Sequence, residues 1–182
     1  VMDWSLVAAE HRTVADFVCG ELAPQIETGA EVITESVRNG GIVYACGNGG
    51  SAADAQHFAA ELVNRFLLER DAYAAVALTT DSSVLTSIAN DYQYDRIFAR
   101  QVQALGRSGD VLLAISTSGN SPNIVEAVRE AAGRGMKTIG LLGGSGGALY
   151  DLVDVPLTIS VSSHTPRIQE GHLIIMHALC EL

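Results

Sequence analysis

His57 and Glu61 stand four residues apart, a spacing that brings an imidazole and a carboxylate to one face of a helix. Such a face carries chemistry, by moving protons or holding a divalent ion, or it carries a surface ion pair. A second group of polar residues lies near the C-terminus: Arg167, Gln169, Glu170, His172 and His177. Gln169 and His177 are eight residues apart, which on a straight helix is about 12 Å of rise and about 80° of rotation. One ion takes both from an ideal helix only with both side chains leaning inward, which points to Gln169 in a distorted first turn or to one ligand from a neighbouring subunit. His172 is about 140° around the helix from His177, so its expected role is structural.

Two further segments suit an anion. Gly47-Asn48-Gly49-Gly50-Ser51-Ala52 and Ser116-Thr117-Ser118-Gly119-Asn120-Ser121-Pro122 each follow a short apolar run and open a helical pattern. Glycines let the backbone come close to a ligand, and a helix start presents unpaired N–H groups to a phosphate. The hydroxyls of Ser51, Ser116, Thr117, Ser118 and Ser121 add donors. Neither turn contains Lys or Arg, and the Gly-Lys-Ser/Thr ending of a triphosphate loop is absent, so a single sugar phosphate fits better. The bland alternative is a pair of ordinary turns, with Ser121 as N-cap and Pro122 at the first helical position. Gly47, Gly49 and Ala52 also satisfy G-x-G-x-x-A, but no ribose-binding acid stands at the end of the second apolar run, and Asp81 comes too late.

The elements that must position these groups follow from periodicity. Apolar runs at 42–46, 74–78, 111–115, 138–142 and 155–159 are short and mostly aliphatic and read as buried strands. Helical patterns fall at about 51–68, 83–105, 121–134, 146–152 and from about 166 onward. This alternation predicts an α/β fold, a doubly wound five-stranded parallel sheet in a three-layer, flavodoxin-like sandwich. Residues 1–40 read as a helical extension broken near Pro24, and 41–182 as the core of one domain.

Composition narrows the function classes. The 182 residues include 48% hydrophobic and only 18% charged types, an apolar surplus that predicts oligomerisation. With 21 acidic against 11 basic residues, the net charge of −10 argues against nucleic acid as a partner. Cys19, Cys46 and Cys180 are three in number and widely spaced, which suggests neither a disulfide framework nor a thiolate metal cluster. No apolar run reaches a membrane span, and no leader pattern stands out, so the expected location is the cytoplasm.

Taken together, the motifs resemble the phosphoheptose isomerases of the sugar isomerase (SIS) superfamily. The resemblance rests on Cys-Gly-Asn-Gly-Gly-Ser-Ala-Ala-Asp-Ala-Gln-His-Phe-Ala-Ala-Glu-Leu from Cys46, Ile-Ala-Asn-Asp from Ile88, Ser-Thr-Ser-Gly-Asn-Ser from Ser116 and Arg-Ile-Gln-Glu-Gly-His from Arg167. It implies conversion of sedoheptulose 7-phosphate to D-glycero-D-manno-heptose 7-phosphate, on the route to ADP-heptose, by a zinc-containing homotetramer with active sites between subunits. Carried over by position, the substrate contacts are Asn48, Gly49, Gly50, Ser51, Asn90, Asp91, Ser116, Thr117, Ser118, Ser121 and Gln169. The zinc ligands are His57, Glu61, Gln169 and His177, with Glu61 the base and His177 the acid of an enediolate mechanism. The resemblance implies the N-terminal helices as oligomer contacts. One departure is His164-Thr165-Pro166, where some relatives have an acidic residue reaching the sugar. The alternative within the superfamily is a non-catalytic module that binds a sugar phosphate or a protein partner, as the bacterial replication-initiator-associating protein does; that protein lacks the combination of Glu61 and His177.

Overall fold

A computed structural model describes residues 2–182. Two helical segments come first, α1 (Trp4–Cys19) and α2 (Ala23–Arg38), separated at Gly20 and with Pro24 in the first turn of α2. Proline there costs nothing, because that N–H has no intrahelical acceptor. Five strands follow, β1 (Val43–Gly47), β2 (Ala75–Ala77), β3 (Val111–Ser116), β4 (Lys137–Gly143) and β5 (Val155–Ile159), all parallel in the order β2-β1-β3-β4-β5. The helices are α3 (Gly50–Val63), α4 (Ser82–Asp91), α5 (Ala99–Leu105), α6 (Pro122–Gly133) and α7 (Thr165–Glu181).

β1 and β3 are buried along their whole length, as continuous apolar runs in a parallel sheet require. One face of the sheet packs Val43, Ala45, Leu113, Ile139 and Leu157 against α1, α2, α3 and α7, and the other packs Tyr44, Cys46, Leu112 and Ala114 against α5 and α6. The strand order reverses direction between β1 and β3. That is the crevice where open α/β sheets take ligands, and it brings the turns after β1 and β3 side by side.

Three expected helices differ. The pattern at 51–68 ends at Val63, because the Arg70 guanidinium takes up the terminal carbonyls of Glu61 and Leu62. The stretch 83–105 is broken into α4, a 3₁₀ turn (Tyr94–Arg96) and α5; Asn90 and Asp91, weak helix formers, precede an extended Gln93. Only one 3₁₀ turn, Gly147–Leu149, remains of 146–152, since Gly146 and Gly147 adopt positive φ.

Candidate active site

The first turn holds Gly49, whose φ of 56° is open to glycine but strained for other residues. This residue is the N-cap of α3 and offers no side chain, so no side-chain group occupies the N–H groups of the first helical turn. Ser51 is buried beside it. The second turn reaches the same state differently. Ser121 is the N-cap of α6, but its hydroxyl makes no capping bond; it pairs with the Ser116 hydroxyl at 3.1 Å. Ser121 and Pro122 hold the cap and first helical positions as expected, but without a side-chain cap bond, so α6 also starts with its N–H groups uncapped by a side chain, which favours an anion there.

The backbone of the second turn is fixed by its neighbours. Gly119 has φ 65°, and an added Cβ would overlap the Gly146 carbonyl oxygen. Asn120 donates to the Ser118 carbonyl at 2.9 Å and accepts from the Ala148 N–H at 2.9 Å, so the glycine-rich segment after β4 braces the turn. Ser118 remains exposed and Thr117 half-buried. Asn48 pairs with Asn123 and Tyr94. Asn90 and Asp91 are exposed at the end of α4, where the Asn90 amide donates to the Asp91 carboxylate at 2.9 Å.

The reactive groups gather along the seam between α3 and α7. His57, Glu61 and His177 each bring one ligand atom to within 4.8 Å of the others. His57 Nε2 donates to Glu61 Oε1 at 3.0 Å, the His57 and His177 rings meet edge-on with centroids 5.3 Å apart, and Phe66 lies 5.2 Å from His177 on its other side. Two imidazoles and a carboxylate match the donor set of zinc sites that leave a coordination position open. The donor chemistry thus fits the metal that the sequence suggests.

Gln169 stands elsewhere. α7 is regular from Thr165, which rules out the distorted first turn and leaves Gln169 about 12 Å along the axis from His177. Its amide lies against Gly50, where an added Cβ would come 2.5 Å from Nε2. Within one chain its amide thus lies at the loop end of the seam.

The remaining C-terminal candidates are structural. Arg167 forms ion pairs with Glu10 at 3.2 Å and with Glu170, tying α7 to α1, and Glu170 also meets His11. His172 is fully buried and bonds the Leu142 carbonyl at 2.9 Å; burial pushes its pKa down to about 4. The thiols do not join the site: burial, then the Glu61 charge, push Cys180 up to about 12, and burial alone does the same to Cys46.

Sequence reasoning missed several residues around the cluster. Arg70 donates from one nitrogen to Leu62 and Asp71 carbonyls and from another to the Glu61 carbonyl, and stacks 3.9 Å over Tyr73. It thereby holds the turn that carries Glu61, through a contact with no local periodicity to reveal it. Asp54 had a signal: Gly50, Asp54, His57 and Glu61 fall within about 60° on one helical face. Its Oδ2 is buried without a partner, and burial raises its pKa.

A SIS domain model matches residues 8–143. A phosphoheptose isomerase of Thiobacillus denitrificans is 59% identical over 88% of this chain and 82% of its own length, and one of Geobacter sulfurreducens is 56% identical over 94% and 90%. The chain belongs to the phosphoheptose isomerase family of SIS-domain proteins. Among solved structures, a phosphoheptose isomerase from Neisseria gonorrhoeae superposes with a TM-score of 0.91 at 46% identity, covering 97% of this chain and 94% of that one. Another from Francisella tularensis gives 0.93 at 41% identity with the same coverage. In this chain the turn before α3 and the cluster of His57, Glu61 and His177 stand at the two ends of one seam.

Proposed function

We propose that the chain is a sugar-phosphate isomerase that interconverts sedoheptulose 7-phosphate and D-glycero-D-manno-heptose 7-phosphate, supplying a heptose for ADP-heptose and bacterial surface polysaccharide. The observation that carries this reading is the convergence of His57, Glu61 and His177 in a fold whose uncapped turns suit a phosphate. Membership of the phosphoheptose isomerase family supports the substrate.

In this reading Gly49, Gly50, Ser51, Ser116, Thr117, Ser118 and Ser121 grip the phosphate, while Asn48, Asn90, Asp91 and Gln169 meet the sugar. Glu61 takes the proton from one carbon of the C1–C2 pair and returns it to the other, and His177 protonates or deprotonates the neighbouring oxygen, passing through an enediolate. Zinc held by His57, Glu61 and His177 would polarise the sugar's oxygens. Glu61 serves as base when its carboxylate is released from His57 and the metal, because a carboxylate engaged by a cation is a weaker base. Holding the phosphate makes proton transfer effectively intramolecular.

The two ends of the seam lie about 10 Å apart between Gly50 and His57, and about 16 Å between Gly50 and Glu61. That separation supports a homotetramer in which the site is completed between subunits, and there Gln169 could join the metal donors of another chain. Exposed Leu67 and Leu68 beside an apolar cleft of about 760 Å³, with exposed Trp4 and Leu6 on α1, support oligomer contacts that include the N-terminal helices. Among the described residues no helix is long and apolar enough to cross a membrane; the proposed location is the cytoplasm.

The test is direct. Purified protein incubated with sedoheptulose 7-phosphate should produce the aldose by NMR; a chelator should stop turnover, and zinc should restore it. Binding without any aldose would leave only a sugar-phosphate-binding module, and full turnover in metal-free protein would remove zinc.

A further inference from the structure

Asn48 opens the turn after β1, and its side chain is engaged by two other segments. Asn123, at the second position of α6 and 2% exposed, donates from Nδ2 to Asn48 Oδ1 at 2.8 Å, and Asn48 Nδ2 donates back to Asn123 Oδ1 at 2.9 Å. The Tyr94 hydroxyl donates to the same Asn48 Oδ1 at 3.1 Å. Both acceptor sites of that oxygen are therefore filled and one of the two amide hydrogens is committed, which leaves a single N–H of Asn48 for a ligand. Turning either amide alone would set carbonyl against carbonyl, so each fixes the orientation of the other.

The three partners come from different places. Asn48 belongs to the first turn; Asn123 follows the serine turn by two residues; Tyr94 follows Asp91 by three. We infer that Asn123, with Tyr94, is a positioning residue that locks Asn48 and so holds the segments 48–51, 90–91 and 116–121 together as one clamp. This rests on the reading above that those segments take the sugar phosphate. The physical reason is that a clamp already in its bound geometry spends none of its binding energy on ordering loops. The amide pair is also unforgiving, since removing one member leaves the buried polar atoms of the other without partners.

The experiment measures inorganic phosphate binding by calorimetry, with KM and kcat for the sugar phosphate, in the wild type, Asn123→Ala, Tyr94→Phe and Asn48→Ala, and in the double variant of Asn48 and Asn123. Asn123→Ala should weaken phosphate binding and raise KM by about ten-fold, and Tyr94→Phe by about two- to three-fold, with kcat changed less than either. The double variant should bind no worse than Asn48→Ala alone, because the effect passes through Asn48. An Asn123 that only stabilises the fold would lower the unfolding midpoint and leave the phosphate affinity of the folded protein unchanged, and that result overturns the inference. Should Asn123→Ala not fold, Tyr94→Phe decides, as Tyr94 is 59% exposed: unchanged phosphate affinity there also overturns it. Failure of the underlying reading is distinguishable, because the wild type itself would then bind no phosphate, and the clamp would fall with it.

Discussion

The two ends of the α3–α7 seam do opposite things with similar means. At the loop end, Gly50 touches the Gln169 amide, and the groups on offer are backbone N–H, hydroxyl and amide. None of these changes charge near neutral pH, so the grip on an anion does not depend on proton traffic. At the far end, His57, Glu61 and His177 lie within ligand distance of one another, and every one of them can gain or lose a proton. In the proposed function, a single helix pair separates holding from reacting by two to three turns. The separation also explains why neither end needs a lysine: helix starts supply the positive potential.

The sharpest break of this contrast is Glu61→Gln, which keeps the shape of the side chain and removes the base. Solvent deuterium incorporation at C1 or C2 should fall by about 10³-fold, while phosphate affinity stays at the wild-type value; loss of phosphate binding as well would mean that the two ends are not separable. A smaller effect tests α7, the strut that both ends share. His172 is buried neutral with its pKa lowered to about 4 against an ordinary value of 6.5, so folding disfavours its proton. Its contribution is complete above about pH 6.5 and is lost as the pH falls toward 4, a change on the order of 3 kcal/mol. Urea unfolding at pH 7 and pH 4.5 should register that loss, and His172→Gln should remove most of the pH difference. The smallest effect belongs to the loop end: Ser118→Ala removes one exposed hydroxyl and should raise KM by about five- to ten-fold with kcat nearly unchanged. A fall in kcat alone would move Ser118 from the phosphate to the reacting atoms.

Much of the fold was legible because a buried parallel strand advertises itself. Val111 to Ile115 can lie nowhere but inside, and 155–159 coincides with the observed β5. Helix limits were less legible where a distant group ends them. Nothing near Val63 announces that Arg70 will fold back on the Glu61 and Leu62 carbonyls, and although Asn90 and Asp91 weaken the helix in 83–105, nothing there announces that Tyr94 will reach Asn48. The site divides in the same way. His57 with Glu61 was readable from a four-residue spacing on one helix, whereas the arrival of His177 depends on α3 and α7 packing side by side. Gln169 illustrates the converse: its motif is clear in sequence, but a regular helix carries it to the other end of the seam from His177.

By itself, then, the amino-acid order determined the alternation of strand and helix, the two uncharged turns and the presence of imidazole, carboxylate and amide, since each depends only on neighbours within a few residues. Tertiary structure decided which of them meet. Strand order sets the turns after β1 and β3 side by side, helix packing joins His177 to His57 and Glu61, and the pairing of Asn48 with Asn123 spans 75 positions of chain. Contacts of that kind arise from packing the whole core, and no local period encodes them.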